Sequence, residues 1–383
     1  MRIAVDARPG VSVGMTGIGY YTRHLLDRMP VLDPGSRYIA WWLDARALAK
    51  PVGRAPRFRP APNLTERWTP FPATWFESLS QRWELPRLEW ALRFDVLFAP
   101  NFVPPPTRSR RLVITVHDLA FAKHPETAPH STRMWLRRLD RAVRQAAEVI
   151  TVSEATRADL LERYDVDPAR VTVIAHGVDH ALFRPPPEGE VARVREQHRL
   201  PGPYLLFLGG LEPRKNLPRL ARAFARIDTE AALVIAGSSV PWNPEGGQAL
   251  RPALEGLPER VRERIVFTGY LDDADKVAIL GGAAALAFPS RHEGFGLPVL
   301  EAMACGTPVL TSNVSALPEV AGDAALLVDP EDEEAIAGGL ARLLVDVGLR
   351  ERLRVAGLAR AARFTWDETA RRTIEVLHRA GER

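Results

Sequence analysis

Ala284-Ala285-Leu286-Ala287-Phe288, followed by Pro289-Ser290-Arg291-His292-Glu293-Gly294-Phe295-Gly296-Leu297-Pro298 and closing at Cys305-Gly306-Thr307-Pro308, decides how the rest of the chain is read. The first five residues are apolar without alternation, the pattern of a strand covered on both faces. Gly294 and Gly296 allow a loop whose backbone N–H groups turn toward a ligand. Pro298 suits the first turn of a helix, Gly306 suits the position just past its end, and Pro308 prevents continuation. The segment therefore predicts a buried parallel strand, a glycine loop, and a short helix whose N-terminus offers an anion site beyond the strand's carboxyl end.

Similar apolar runs recur along the chain. The first half offers Ile3–Asp6, Ile39–Leu43, Val96–Ala99, Leu112–His117, Val149–Val152 and Val171–Ala175. The second offers Tyr204–Gly209, Leu233–Ala236, Ile265–Thr268, Ala284–Phe288, Val309–Ser312 and Ala325–Val328. Helical stretches separate them, so an α/β chain of two doubly wound, Rossmann-like domains is expected. The proline-rich stretch Phe183–Gly189 reads as a linker. The expected division is 1–186, 187–365, and a terminal helix over 366–383. In such sheets ligands bind beyond the carboxyl ends of the strands, in a cleft.

At 383 residues the chain is long enough for two or three domains, and 46% apolar residues can fill a core in each. A net charge of +4 fits a nucleic-acid binder, a membrane-surface protein or an enzyme of phosphorylated substrates, and selects none of them. The basic residues are nearly all Arg, with Lys only at 50, 123, 215 and 276, so each Lys merits inspection. The single cysteine, Cys305, excludes an intramolecular disulfide and a cysteine-based zinc cluster, and fits a reducing compartment. Met1–Asp6 reads as a strand rather than a signal peptide, and no run approaches the roughly 18 apolar residues of a spanning helix. A cytoplasmic protein, in peripheral contact with a membrane at most, is expected.

Two further sets of residues follow strand ends. After Tyr204–Leu208 come Gly209-Gly210 and then Arg214-Lys215 at the start of a helix. A guanidinium fork beside an ammonium at a helix N-terminus suits a diphosphate. Glu293 lies in the loop before the short helix and Glu301 one turn into it, so two carboxylates can reach separate polyol groups of one ligand.

Glu293 and Glu301, with Phe295-Gly296-Leu297 between them, resemble the E-x7-E signature of retaining GT-B glycosyltransferases of family four. The likeness extends over nearly the whole chain: His117-Asp118-Leu119, Val152-Ser153-Glu154, Gly177-Val178-Asp179, Gly209-Gly210 with Arg214-Lys215-Asn216, Glu301–Val309 and Pro318-Glu319. The resemblance implies that Glu301 binds the ribose of a nucleotide-sugar donor and that Glu293 contacts the transferred sugar. It further implies that Arg214 and Lys215 neutralise the diphosphate, that Gly210 and the backbone of Gly294, Phe295, Gly296 and Leu297 line the donor, and that the last helix packs back toward the first domain. Donors similar to GDP-mannose and a saccharide or lipid-linked acceptor of surface-glycan assembly are the expected partners, with no nucleic acid.

In the first half, Gly14-Met15-Thr16-Gly17-Ile18-Gly19-Tyr20 reads as a glycine-rich loop after the first strand. The resemblance places Gly17 and Gly19 near the donor phosphate and Tyr20 on the acceptor side. It places His117 beside the transferred sugar, with Asp118 a candidate acceptor contact or base. Ser153 suits a helix N-cap. Trp68–Phe94 interleaves aromatic residues with Arg67, Arg82, Arg87 and Arg93, compatible with core packing or with a membrane interface. No D-x-D motif stands where a metal would be needed, so neither a metal nor another cofactor is expected. Rival readings are a carboxylate-pair hydrolase, a GT-B phosphorylase or nucleotide-sugar epimerase, and a non-catalytic nucleotide-sugar binder.

Overall fold

The computed structural model describes residues 1–12, 17–44, 57–123, 132–200, 202–237 and 244–383, with 132–135 and 244–249 as backbone only. Two compact units result. One takes Met1–Lys123, 132–177 and Trp366–Arg383, and the other Val178–Thr365.

The first unit is built on β1 (Arg2–Asp6), β2 (Arg37–Leu43), β3 (Leu64–Thr69), β4 (Val96–Ala99), β5 (Leu112–Val116), β6 (Glu148–Thr151) and β7 (Val171–Val173). They pair in the order β3-β2-β1-β4-β5-β6-β7, all parallel. β1, β4 and β5 are apolar because helices cover both faces, and Ile3, Val5, Leu97, Phe98 and Ile114 are wholly buried. The sequence reading lacks β3. Its residues, Leu-Thr-Glu-Arg-Trp-Thr, are half-buried or exposed, because β3 is the sheet's edge and only one neighbour satisfies it. Ser153 caps the helix Glu154–Arg163 by accepting from Thr156 N at 3.0 Å.

The helix Trp366–Glu382 belongs to this first unit. Trp366, Ala370, Thr373, Leu377 and Ala380 form its buried stripe, at alternating spacings of four and three residues. That stripe joins the cluster of Ile3, Tyr21, Val96 and Phe98. Its far end brings Arg383 within 2.8 Å and Arg379 within 3.5 Å of the wholly buried Glu148 carboxylate.

In the second unit β8 (Tyr204–Leu208), β9 (Ala232–Ala236), β10 (Ile265–Gly269), β11 (Ala285–Phe288), β12 (Val309–Ser312) and β13 (Leu326–Val328) pair in the order β10-β9-β8-β11-β12-β13. The order reverses between β8 and β11, so the loops leaving these two strands are neighbours at the centre of the sheet. The chain enters this unit nine residues earlier than the sequence reading placed the boundary. Val178 N donates to Phe364 O at 3.2 Å, Val178 bridges Thr365, and Phe183 is buried. Pro185 and Pro186 pack against Gly306 and Gly281 of the same unit, so the proline stretch is a packed segment and not a free linker.

Candidate functional site

The second unit gathers most of the expected residues on the two central loops. Beyond β11, the chain turns at Gly296, whose φ of 105° only glycine adopts freely and where an added Cβ would meet Leu317 Cδ2 at 2.7 Å. Gly296 is the N-cap of the helix Leu297–Ala304, Pro298 lies in its first turn, and Gly306 follows the Cys305 C-cap at φ 77°. Beyond β8, Pro213–Lys215 form a 3₁₀ turn and the helix Leu217–Ala225 follows. Asn216, left-handed at φ 61°, joins the two loops: its Nδ2 donates to Pro289 O at 3.1 Å and to Pro330 O at 2.7 Å.

Between these loops lies a buried charge cluster. Lys215 Nζ sits 2.6 Å from Glu293 Oε1 and Arg214 Nη1 2.8 Å from Glu293 Oε2. Ser290 Oγ donates to Glu293 Oε1 at 2.7 Å, and the Glu293 N–H donates to Ser315 Oγ at 3.0 Å. Burial alone would raise the Glu293 carboxyl, but Arg214, Lys215 and the hydroxyl of Ser290 outweigh it and hold it at about 2. It is ionised at any physiological pH. Arg214 Nη1 also donates to His292 O, Nη2 pairs with Glu212 Oε2 at 2.7 Å, and Lys215 Nζ lies 4.7 Å from the Phe288 ring centroid. The cations expected at a diphosphate are thus neutralised by the carboxylate expected at the sugar.

Glu301 has a separate partner. Lys276, on the helix Asp273–Gly281 that follows β10, places Nζ 2.7 Å from Glu301 Oε2. Burial raises the Glu301 carboxyl against the opposing pull of Lys276, and Asp273 adds to the rise. Gly210 stands beside Glu212, Gly294 and Phe295 are buried, and the Phe295 ring meets Phe364 edge-on at 6.0 Å.

In the first unit, His117 directly follows β5. Its Nε2 donates to Pro100 O at 2.8 Å, which fixes the tautomer, and Nδ1 lies 3.4 Å from His176 Nε2. The two imidazoles stack at 5.3 Å, each with Tyr21 against its edge at 4.9 Å. Burial lowers His117, and burial with the neighbouring His117 lowers His176 well below the ordinary range. Asp118 Oδ1 accepts from Ala120 N at 3.1 Å, at the start of the short helix Ala120–Lys123. Gly17, Gly19 and Tyr20 are not in a loop: they open the helix Gly17–Leu32, with Gly19 buried. Gly14, Met15 and Thr16 lie outside the described residues.

Sequence reasoning gave no role to Ser290, Asn216, His176 or Lys276, which hold the expected residues in place. Two of them left a signal: Asn216 stands in the Arg214-Lys215-Asn216 motif, and Lys276 is one of four lysines among 51 basic residues.

A family model described as Glycosyl transferases group 1 matches residues 190–360, and one described as Glycosyltransferase Family 4 matches residues 17–182. The chain is 34% identical over 302 residues, 76% of each protein, to O-antigen chain mannosyltransferase B of Escherichia coli. It is 32% identical over 243 residues to the serotype-specific mannosyltransferase WbdA of Escherichia coli, which is 61% of this chain and only 29% of WbdA. The crystal structure of Anabaena Alr3699/HepE in complex with UDP and glucose superposes with a TM-score of 0.72 at 18% identity over 99% of both chains, a likeness of fold.

Proposed function

The chain belongs to glycosyltransferase family 4, and on that premise we propose that this enzyme of glycan biosynthesis is a retaining mannosyltransferase. The donor in this reading is GDP-mannose or a similar nucleotide sugar. The acceptor is a saccharide or lipid-linked saccharide of a surface glycan. The charge cluster beyond β8 and β11 carries the reading, and the mannosyltransferase relatives support the sugar.

Transfer breaks the bond between the anomeric carbon and a phosphate oxygen. The electron pair leaves with the diphosphate, while positive charge grows on the sugar. Interactions that strengthen as this charge develops lower the barrier. Arg214 and Lys215 exchange part of their hold on Glu293 for the departing diphosphate, and the N–H groups opening the helix Leu297–Ala304 assist them. No metal is needed for this compensation. Glu293, fixed by Ser290, remains an anion beside the sugar and accepts from one of its hydroxyls. The acceptor attacks from the face the diphosphate leaves, and a phosphate oxygen takes its proton. His117 is assigned to the transferred sugar, and Asp118 and Tyr20 to the acceptor. With Nε2 committed to Pro100 O and Nδ1 facing His176 Nε2, a ring nitrogen of His117 reaches the sugar only by giving up one of these contacts.

The test is calorimetry of the protein against GDP-, UDP-, ADP- and dTDP-sugars, with Glu301→Ala alongside, followed by the anomeric configuration of the product. Binding of one nucleotide class, lost in the variant, and a retained anomer are expected. A trapped covalent glycosyl-enzyme would overturn the front-face mechanism, and turnover that requires inorganic phosphate would favour a phosphorylase.

Peripheral membrane contact belongs to the same proposal. Phe76 and Leu88 are core residues, but Trp75, Trp83 and Trp90 are 68%, 59% and 65% exposed, and Arg82 lies over the Trp83 ring at 5.4 Å. Exposed indoles among guanidinium groups suit an anionic bilayer surface. Co-sedimentation with phosphatidylglycerol vesicles, reduced in Trp75→Ala/Trp83→Ala, is expected. Equal sedimentation of both proteins would refute the contact. Among the described residues, no helix is long and apolar enough to cross a membrane.

A further inference from the structure

Glu301 is the least settled charge among the residues assigned to the donor. It is reached by little water, its side chain being 12% exposed, and the groups near it disagree about its charge. Burial and Asp273, on the facing helix, favour the neutral acid, and Lys276 alone opposes them. The Cys305 thiol, one turn further along, is pushed up to about 12 by burial and by the Glu301 charge, so it stays neutral and does not compete with Glu301 for Lys276. A neutral acid offers fewer acceptor sites than a carboxylate, and a vicinal diol has two hydroxyl protons to donate.

Lys276 is placed for one task. Its Nζ is 2.7 Å from Glu301 Oε2 and 4.8 Å from the Phe183 ring centroid, which limits where the ammonium can go. A lysine is a point charge and holds one oxygen, whereas an arginine fork would hold both. We propose that Lys276 is a positioning residue of the donor site: it holds Glu301 through Oε2 and leaves Oε1 to accept from the ribose diol of a nucleoside diphosphate. This rests on the reading of Glu301 as the ribose ligand. It accounts for a lysine at this place in a chain whose basic residues are nearly all arginine.

The test uses GDP and UDP, each beside its 2′,3′-dideoxy analogue, titrated calorimetrically into the full-length protein at pH 6, 7 and 8. The proteins are wild type, Lys276→Met, Lys276→Arg and Glu301→Gln. Wild type should prefer the diol-bearing nucleotide at every pH. Lys276→Met should weaken that preference, and weaken it more at pH 6 than at pH 8, because the carboxyl loses the one group that opposes its protonation. Lys276→Arg keeps the charge but grips both oxygens, so it should weaken diol binding equally at all three pH values. That arm remains readable if the methionine variant folds poorly. A methionine variant with wild-type preference and no pH dependence would overturn the role of Lys276, provided Glu301→Gln abolishes the preference. Wild type that does not distinguish the diol, or binds neither nucleotide, would instead remove Glu301 as the ribose ligand, and this inference with it.

Discussion

Replacing Glu293 by Gln tests the electrostatic core of the site, because it removes the carboxylate that Arg214 and Lys215 share while keeping its volume. The carboxyl is held at about 2 against an ordinary 4.5. That gap of 4.5 − 2 corresponds to about 3 kcal/mol of native-state stabilisation at about 1.4 kcal/mol per pH unit. Both cations stay behind in the variant, and Lys215 is buried, so the expected loss at pH 7 is about 3–5 kcal/mol. The sign follows from the depressed value: the contribution is complete above pH 4.5 and disappears as pH falls through about 2. At pH 3 about 2 kcal/mol of that contribution is gone, so the difference between the proteins should shrink to about 1–3 kcal/mol. Urea unfolding followed by far-ultraviolet circular dichroism at both pH values measures it. A difference below about 1 kcal/mol at pH 7, or one that does not change between pH 7 and pH 3, would refute the reasoning.

Other expectations concern the supports. Ser290→Ala removes a buried hydrogen bond to a charged acceptor and should lower stability by about 1.5–3 kcal/mol in the same unfolding assay. Asn216→Gly keeps the left-handed backbone but loses both carbonyl contacts, whereas Asn216→Ala loses the contacts and strains the turn, so thermal melting should rank alanine below glycine. Gly237→Ala would put a Cβ 2.0 Å from Gly209 O, where neither backbone can yield, and a loss above about 4 kcal/mol or no soluble protein is expected on expression. His117 and His176 are both lowered from 6.5, so their contribution to stability is present above that pH and is lost as pH falls below it; their ring proton resonances should titrate below those of exposed histidines in NMR spectra.

The central strands were legible because a parallel strand buried on both faces has to be continuously apolar, and Leu97-Phe98-Ala99 or Leu205-Leu206-Phe207 admit few other readings. β3 was not, since an edge strand obeys no such rule and Thr65-Glu66-Arg67 resembles a loop. Glu293, Glu301, Arg214 and Lys215 were legible through spacing and glycine punctuation. Their partners were not: Ser290 is only three residues from Glu293, but no spacing rule marks a loop serine as a carboxylate's donor, and Lys276 meets Glu301 only when the helix after β10 lies beside the helix after β11, which no local window contains. The proline stretch misled for a related reason: Pro185 and Pro186 look like a spacer until Gly281 and Gly306 provide surfaces for them.

The terminal helix has a consequence for how the protein is made. The first unit is not one continuous stretch of chain: its cluster of Ile3, Tyr21 and Val96 is completed by Trp366, Ala370 and Leu377. On a ribosome, residues up to Gly177 emerge with a strip of that core still open to water, and everything from Val178 to Thr365 is synthesised before the strip can close. The unit begun first is thus finished last, and the unit encoded inside it can fold while its host waits.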